Sequence, residues 1–93
     1  MPVGLLILKI HLPDAHSLKE KRFTVRKIQA RLRARFNVAV AELDHQDLWQ
    51  RAEVGVVSIS SDRKVLEKIL RAVEEESLSV LGRDLVGTEL EVF

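Results

Sequence analysis

With no cysteine in this sequence, its three histidines are the side chains best suited to hold a borderline metal ion or to move a proton near neutral pH. With their acidic neighbours they form two constellations that could do chemistry: His11, Asp14 and His16 in an H-x-x-D-x-H run, and His45 with Asp47. Imidazole and carboxylate together can hold a metal ion or move a proton. Neither spacing matches a recognised metal site, and the first straddles Pro13, so its ligands would have to converge across a turn. No metal and no cofactor are expected. Asp44 and Asp47 are spaced as an acid pair could be, but a turn of acids is usually solvated. Ser17 and Ser61 stand where helices begin and read as caps rather than nucleophiles. The four glycines are scattered, so no phosphate-cradling loop is present. These residues argue against an enzyme and against a small-molecule substrate.

The strongest collective chemistry belongs to the cations. Residues 17 to 36, SLKEKRFTVRKIQARLRARF, carry Lys19, Lys21, Arg22, Arg26, Lys27, Arg31, Arg33 and Arg35 against the single acid Glu20. Residues 1–36 hold nine basic and two acidic side chains, and residues 37–93 hold six and twelve, although the chain nets only +1. Such asymmetry describes a dipole with one basic surface. A one-signed stripe is the footprint of polyanion binding, and RNA is the polyanion expected. The phosphate-binding candidates are Lys19, Arg22, Arg26 and Arg33. The competing reading is a solvated helix face, relieved in part by an acidic neighbour.

Those cations need a helix, and the sequence supplies one. Ser17 and Glu20 form S-x-x-E, the capping-box pattern in which each side chain answers the other residue's backbone N–H. At about 100° per residue, Leu18, Val25, Ile28, Leu32 and Phe36 make an apolar stripe. Lys19, Arg22, Arg26 and Arg33 flank one side of it, and Lys21, Arg31 and Arg35 are placed on the other. Phe23 lies well off the stripe. It is open either to stack on a base or partner or to pack under a loop.

Before this helix, residues 3–12 read as a strand that ends at Pro13. Leu6, Leu8, Ile10 and Leu12 share one face, and Val3, Leu5, Ile7, Lys9 and His11 the other. Residues 37–43 and 52–59 read as two more strands, joined by the polar turn 44–47 and by Leu48-Trp49-Gln50-Arg51. Ser60, Ser61 and Asp62 offer caps for a second helix with the stripe Val65, Leu66, Ile69, Leu70 and Val73. Residues 86–93 alternate as a last strand.

The order β-α-β-β-α-β over 1–93 is that of a single α+β domain, the ferredoxin-like plait: a four-stranded antiparallel sheet with two helices on one face. The other face stays open. Val3, Leu5 and Ile7 point there, and a sizeable apolar patch of this kind marks an interface. A homodimer joined through the sheets is expected, with Phe23, Trp49 and Arg51 as further interface candidates. Trp49 is open either to hairpin packing or to anchoring a partner, and Arg51 either to that or to pairing with Asp44, Asp47 or Glu53. The RNA-recognition motif shares this plait but stacks bases on aromatics of its first and third strands. Here those strands, LLILKI and AEVGVVSI, have no ring. RNA would therefore lie along the first helix. The opening apolar run is too short to span a membrane and has no leader pattern, so a cytoplasmic protein is expected. Many Arg and Glu beside few Cys, Met and Asn would suit a thermophile.

Three stretches carry a resemblance: HSLKEKR at His16–Arg22, FNVAVAELD at Phe36–Asp44, and DLWQRA at Asp47–Ala52. In these the chain resembles the bacterial YlxP-like family, a domain of unknown function. The resemblance implies the same ferredoxin-like fold and no established activity. It also implies a gene neighbourhood of translation and ribosome maturation, close to an initiation factor and a ribosome-binding factor. The positions matching the family motifs are His16, Ser17, Leu18, Lys19, Glu20, Lys21, Arg22, Asp44, Asp47, Trp49, Gln50 and Arg51.

Overall fold

A computed structural model describes residues 1–45 and 48–93. Its elements are β1 (Val3–His11), α1 (Leu18–Arg35), β2 (Ala39–Asp44), β3 (Arg51–Ile59), α2 (Arg63–Leu81) and β4 (Leu85–Val92), with a single 3₁₀ turn at Gly82–Asp84 between the last two. The strands lie in the order β2-β3-β1-β4, and each neighbouring pair is antiparallel. This is the ferredoxin-like plait that the element order predicts.

Alternation in β1 decides what the sheet buries. Leu6, Leu8 and Ile10 face the helices and are fully buried with Val54 and Val56 of β3. Val25, Ile28 and Leu32 of α1 and Leu66, Leu70 and Val73 of α2 close the core over them. Gly4 points the same way, and a β-carbon there would run into Leu70 and Leu66. Glycine thus lets α2 approach the sheet closely at this point. Along α2 the buried row is Leu66, Leu70, Val73, Ser77 and Leu81, while Val65 is exposed, so the stripe lies one residue round from its expected start. Ser77 is tolerated in that row because its hydroxyl donates to the Val73 carbonyl at 2.8 Å.

The helix starts are capped largely as expected. Ser17 Oγ accepts from the Glu20 N–H at 3.1 Å, but the Glu20 carboxylate reaches one residue further back, to the His16 N–H at 2.5 Å. Asp62 caps α2 by accepting from the Lys64 and Val65 N–H groups. Gly82 ends α2 with φ of 58°, a left-handed value that suits glycine.

Candidate nucleic-acid interface

α1 presents four kinds of cation, and the fold sorts them. Arg31 and Arg35, near its C-terminus, face α2, where Glu76 binds both: Arg31 Nε at 2.6 Å and Arg35 Nη1 at 3.4 Å. Arg33 is exposed, yet its guanidinium donates to the Val40 carbonyl of β2 at 3.1 Å. Lys19, Arg22, Arg26 and Lys27 are exposed and form no ion pair among the described residues. Of the four phosphate-binding candidates, then, three stand clear and Arg33 is partly engaged. Lys27 is the cation that sequence reasoning passed over. Its spacing from Phe23, i to i+4, was the available clue.

Phe23 resolves to exposure, at 72%. Lys19 and Lys27 lie four residues to either side of it and Arg26 three residues on, so these three cations, with the acid Glu20 three residues back, are its neighbours on the outer surface of α1, while Arg22 lies about 100° round on the flank. With Ser17, Lys19, Glu20 and Thr24, Phe23 lines a shallow depression at the start of the helix. An apolar ring among unpaired cations can stack on a planar base while the cations meet phosphates.

Lys21 corrects the sequence reading. It is not on the outer flank of α1 but fully buried, 0% exposed. Its ammonium donates to the carbonyl of His45 at 2.7 Å and lies 3.2 Å from the Glu42 carboxylate, whose side chain is 19% exposed. A longer bond of 3.4 Å reaches the Arg51 carbonyl. The error was one of angle. At about 100° per residue Lys21 falls between Ile28 and Leu32, inside the apolar stripe. Its ammonium thereby ties α1 to both strands of the β2–β3 hairpin. His45 has φ of 62°, an uncommon left-handed value for a residue other than glycine, and its carbonyl accepts from Leu48 N–H as well as from Lys21.

The hairpin end also holds Trp49, which is 52% exposed, and Arg51, also exposed; with Leu48 and Gln50 they line a depression of 470 Å³. Gln50 joins this end to the turn before α1. Its side-chain amide donates to the Pro13 carbonyl at 3.2 Å, and its own carbonyl accepts from Leu12 N–H at 2.8 Å. The His16–Arg22 stretch and the residues Trp49 to Arg51 thus meet at one end of the molecule. The pairs Asp44/Asp47 and His45/Asp47 both include Asp47, which lies outside the described residues. Among the described residues no three His, Asp or Glu side chains gather as metal ligands would; His11, Asp14 and His16 are each exposed.

The open sheet face carries Val3, Leu5 and Ile7, each half-buried. Register places Val57 and Ile59 of β3 beside them, both exposed. Leu43 folds over Gly55, where a β-carbon would meet its methyl group at 2.7 Å. Leu5, Ala39, Ala41, Leu43, Gly55 and Val57 line an apolar depression of 150 Å³. The other half of the face is charged. Lys9 binds Glu89 at 2.8 Å, and the hydrogen bond and charge of Glu89, aided by Glu53, hold the ammonium protonated above the usual lysine range against a small burial effect. No helix is long and apolar enough to cross a membrane among the described residues.

Comparison with known proteins agrees with the motif resemblance. The family described as protein of unknown function (DUF503) matches residues 3–80. The chain is 45% identical over 78 residues to the uncharacterized protein YlxP of Bacillus subtilis (strain 168), covering 82% of this chain and 85% of that protein. Among solved structures it is similar to the de novo designed protein Foldit4, with a TM-score of 0.51, 14% identity and coverage of 99% of this chain and 92% of that one, a likeness of fold alone. It is also similar to a variant of SnoaB, a cofactor-independent oxygenase from Streptomyces nogalater, with a TM-score of 0.49, 16% identity and coverage of 99% and 89%. By its match over residues 3–80 and its identity to YlxP, this chain belongs to the DUF503 family, whose function is not established.

Proposed function

We propose that this protein is a non-catalytic, cytoplasmic RNA- or ribosome-associated module that binds through the outer surface of α1. One observation carries the reading: Lys19, Arg26 and Lys27, helix neighbours of the exposed ring of Phe23, and Arg22 on the adjoining flank are exposed and without ion pairs among the described residues. Phosphate contacts supply affinity without sequence reading, and a stacked ring favours a strand whose bases are unpaired. Arg33 contributes charge from its place on the Val40 carbonyl.

The test is a titration against structured ribosomal RNA between 50 and 200 mM salt, wild type beside Arg22→Glu/Arg26→Glu. Both positions are exposed, so circular dichroism should show an unchanged fold. About four phosphate contacts on single-stranded segments give a log–log salt slope of about −2.8, or roughly a 50-fold loss of affinity over that range. The double reversal should weaken binding at every salt concentration and flatten the slope by half or more. A flat salt response, or binding indifferent to the reversal, would sink the proposal.

A second reading concerns the sheet. Val3, Leu5 and Ile7 share one uncovered face with Leu43, Val57 and Ile59. A second copy, apolar half against apolar half about a two-fold axis, is the occupant this reading assigns. Sedimentation velocity should then find a dimer in wild type and a monomer in Val57→Lys/Ile59→Lys. A wild type that stays monomeric at high micromolar concentration would remove this reading and leave the RNA proposal standing.

A further inference from the structure

The two edges of the sheet are not treated alike. Val3 and Phe93 exchange both backbone hydrogen bonds, Val3 N–H to Phe93 C=O at 3.2 Å and Phe93 N–H to Val3 C=O at 2.8 Å. In an antiparallel ladder such exchanging pairs alternate with pairs that do not exchange. With Leu5 opposite Glu91 and Ile7 opposite Glu89, the exchanging residues of β4 are Phe93, Glu91 and Glu89. The backbone groups of Val92, Leu90 and Thr88 therefore point away from β1, to the side where the sheet order ends. The same alternation, carried across β1 and β3, turns the Val40 carbonyl outward at the opposite edge. There Arg33 covers it at 3.1 Å. An edge strand with outward backbone groups is a template for pairing, and proteins blunt it with charged side chains, prolines, β-bulges or a covering element. β2 has Arg33. β4, LVGTELEV, has neither proline nor cation; its bulge lies at Val86, before the regular stretch Thr88 to Val92, and its only charges are the acids Glu89 and Glu91.

The surroundings of that free edge specify a partner. A register shift between Lys9 and Ile10 leaves Val86 as the extra residue of β4, and its side chain is 59% exposed. Val86 and Thr88 line a depression of 290 Å³ with Glu74, Glu75 and Leu78 of α2. Thr88 is hydrogen-bonded to the Glu74 carboxylate, and Glu75 is exposed. On the open face of the same strand stand Glu89, paired with Lys9, and the exposed Glu91. A strand laid along β4 would alternate its side chains between these two acidic sides.

We propose that the free edge of β4 accepts an extended, lysine- or arginine-rich segment of another protein by strand addition. Backbone pairing to Thr88, Leu90 and Val92 provides affinity, as in other edge-binding domains, and the acids on both sides select cationic residues. A second copy of this chain is the poorer occupant. Antiparallel pairing of β4 with a second β4 about Leu90 would set Glu89 opposite Glu91 twice over, and like charges directly opposite are destabilising.

The probe is the capped peptide Lys-Lys-Val-Val-Lys-Lys-Val-Val, which puts lysines on both faces of the added strand, titrated into the full chain and followed by amide NMR and hydrogen exchange. The Thr88, Leu90 and Val92 amides should shift and gain protection. Methylating alternate backbone nitrogens of the peptide should abolish binding, because charge alone does not suffice. Glu75→Lys/Glu91→Lys, both at exposed positions, should weaken it about tenfold while leaving the fold intact. Three results would each overturn the proposal: those amides unmoved at millimolar peptide, a methylated peptide that binds equally well, or concentration-dependent protection of β4 without peptide, which would name a second copy as the occupant.

Discussion

Lys21→Ala should destabilise the protein by about 3–5 kcal/mol, the loss expected when one partner of a buried ion pair is removed. For a domain of this size that is a fall in melting temperature of about 12 °C or more. The ammonium is 0% exposed, donates to the His45 and Arg51 carbonyls at 2.7 and 3.4 Å, and is ion-paired with the Glu42 carboxylate at 3.2 Å. Removing it takes the cation from Glu42 and a donor from both carbonyls, and opens a cavity besides. Lys21→Met separates these effects by keeping most of the volume. Adding Glu42→Leu to Lys21→Met should then recover part of the loss, because a buried pair replaced on both sides by apolar groups is often close to neutral. Thermal and urea denaturation of the three variants would measure the coupling. If Lys21→Met stays within about 0.5 kcal/mol of wild type, the ammonium is not what secures the hairpin to α1.

Phe23→Ala should do the reverse, leaving stability alone and damaging binding. The ring is 72% exposed and alanine is the better helix former, so stability should change by no more than about 0.5 kcal/mol. Stacking of a base on an aromatic is worth about 1–3 kcal/mol, so affinity for RNA with unpaired bases should fall about 5- to 150-fold. The salt slope should stay where it is, since no phosphate contact is lost. This distinguishes Phe23→Ala from Arg22→Glu/Arg26→Glu, which must change the slope. Phe23→Trp should retain binding. A fully folded Phe23→Ala that binds like wild type would leave the cations to act without the ring.

Much of the architecture was legible because its determinants are local. The β1 alternation of Leu6, Leu8 and Ile10 against Val3, Leu5 and Ile7 assigns both faces of a central strand before any neighbour is known. Ser17 and Asp62 mark the helix starts through bonds spanning only a few residues. The motif stretches at His16–Arg22 and around Trp49 carried the family, which the match over residues 3–80 bears out. Lys21 was legible too, since its angle on α1 places it within the stripe. Its charge argued the other way, because an isolated buried ammonium is costly and the acceptors that offset the cost lie in a different element.

The sequence by itself determined the order and kind of the elements, the two faces of β1 and the concentration of positive charge on α1. These follow from the periods of strand and helix and from residue chemistry. Only the tertiary structure decided what each cation does. Arg31 and Arg35 meet Glu76 across the helix pair, Arg33 reaches an edge carbonyl, Lys21 enters the core, and Lys19, Arg22, Arg26 and Lys27 remain in solvent. The same holds for the edges, where one is covered by Arg33 and the other, among the described residues, has no cation on its outward carbonyls. The physical reason is common to all of these. A pairing between groups tens of residues apart depends on how helices are laid on a sheet and on the phase of the hydrogen-bond ladder, and neither is written in any one segment.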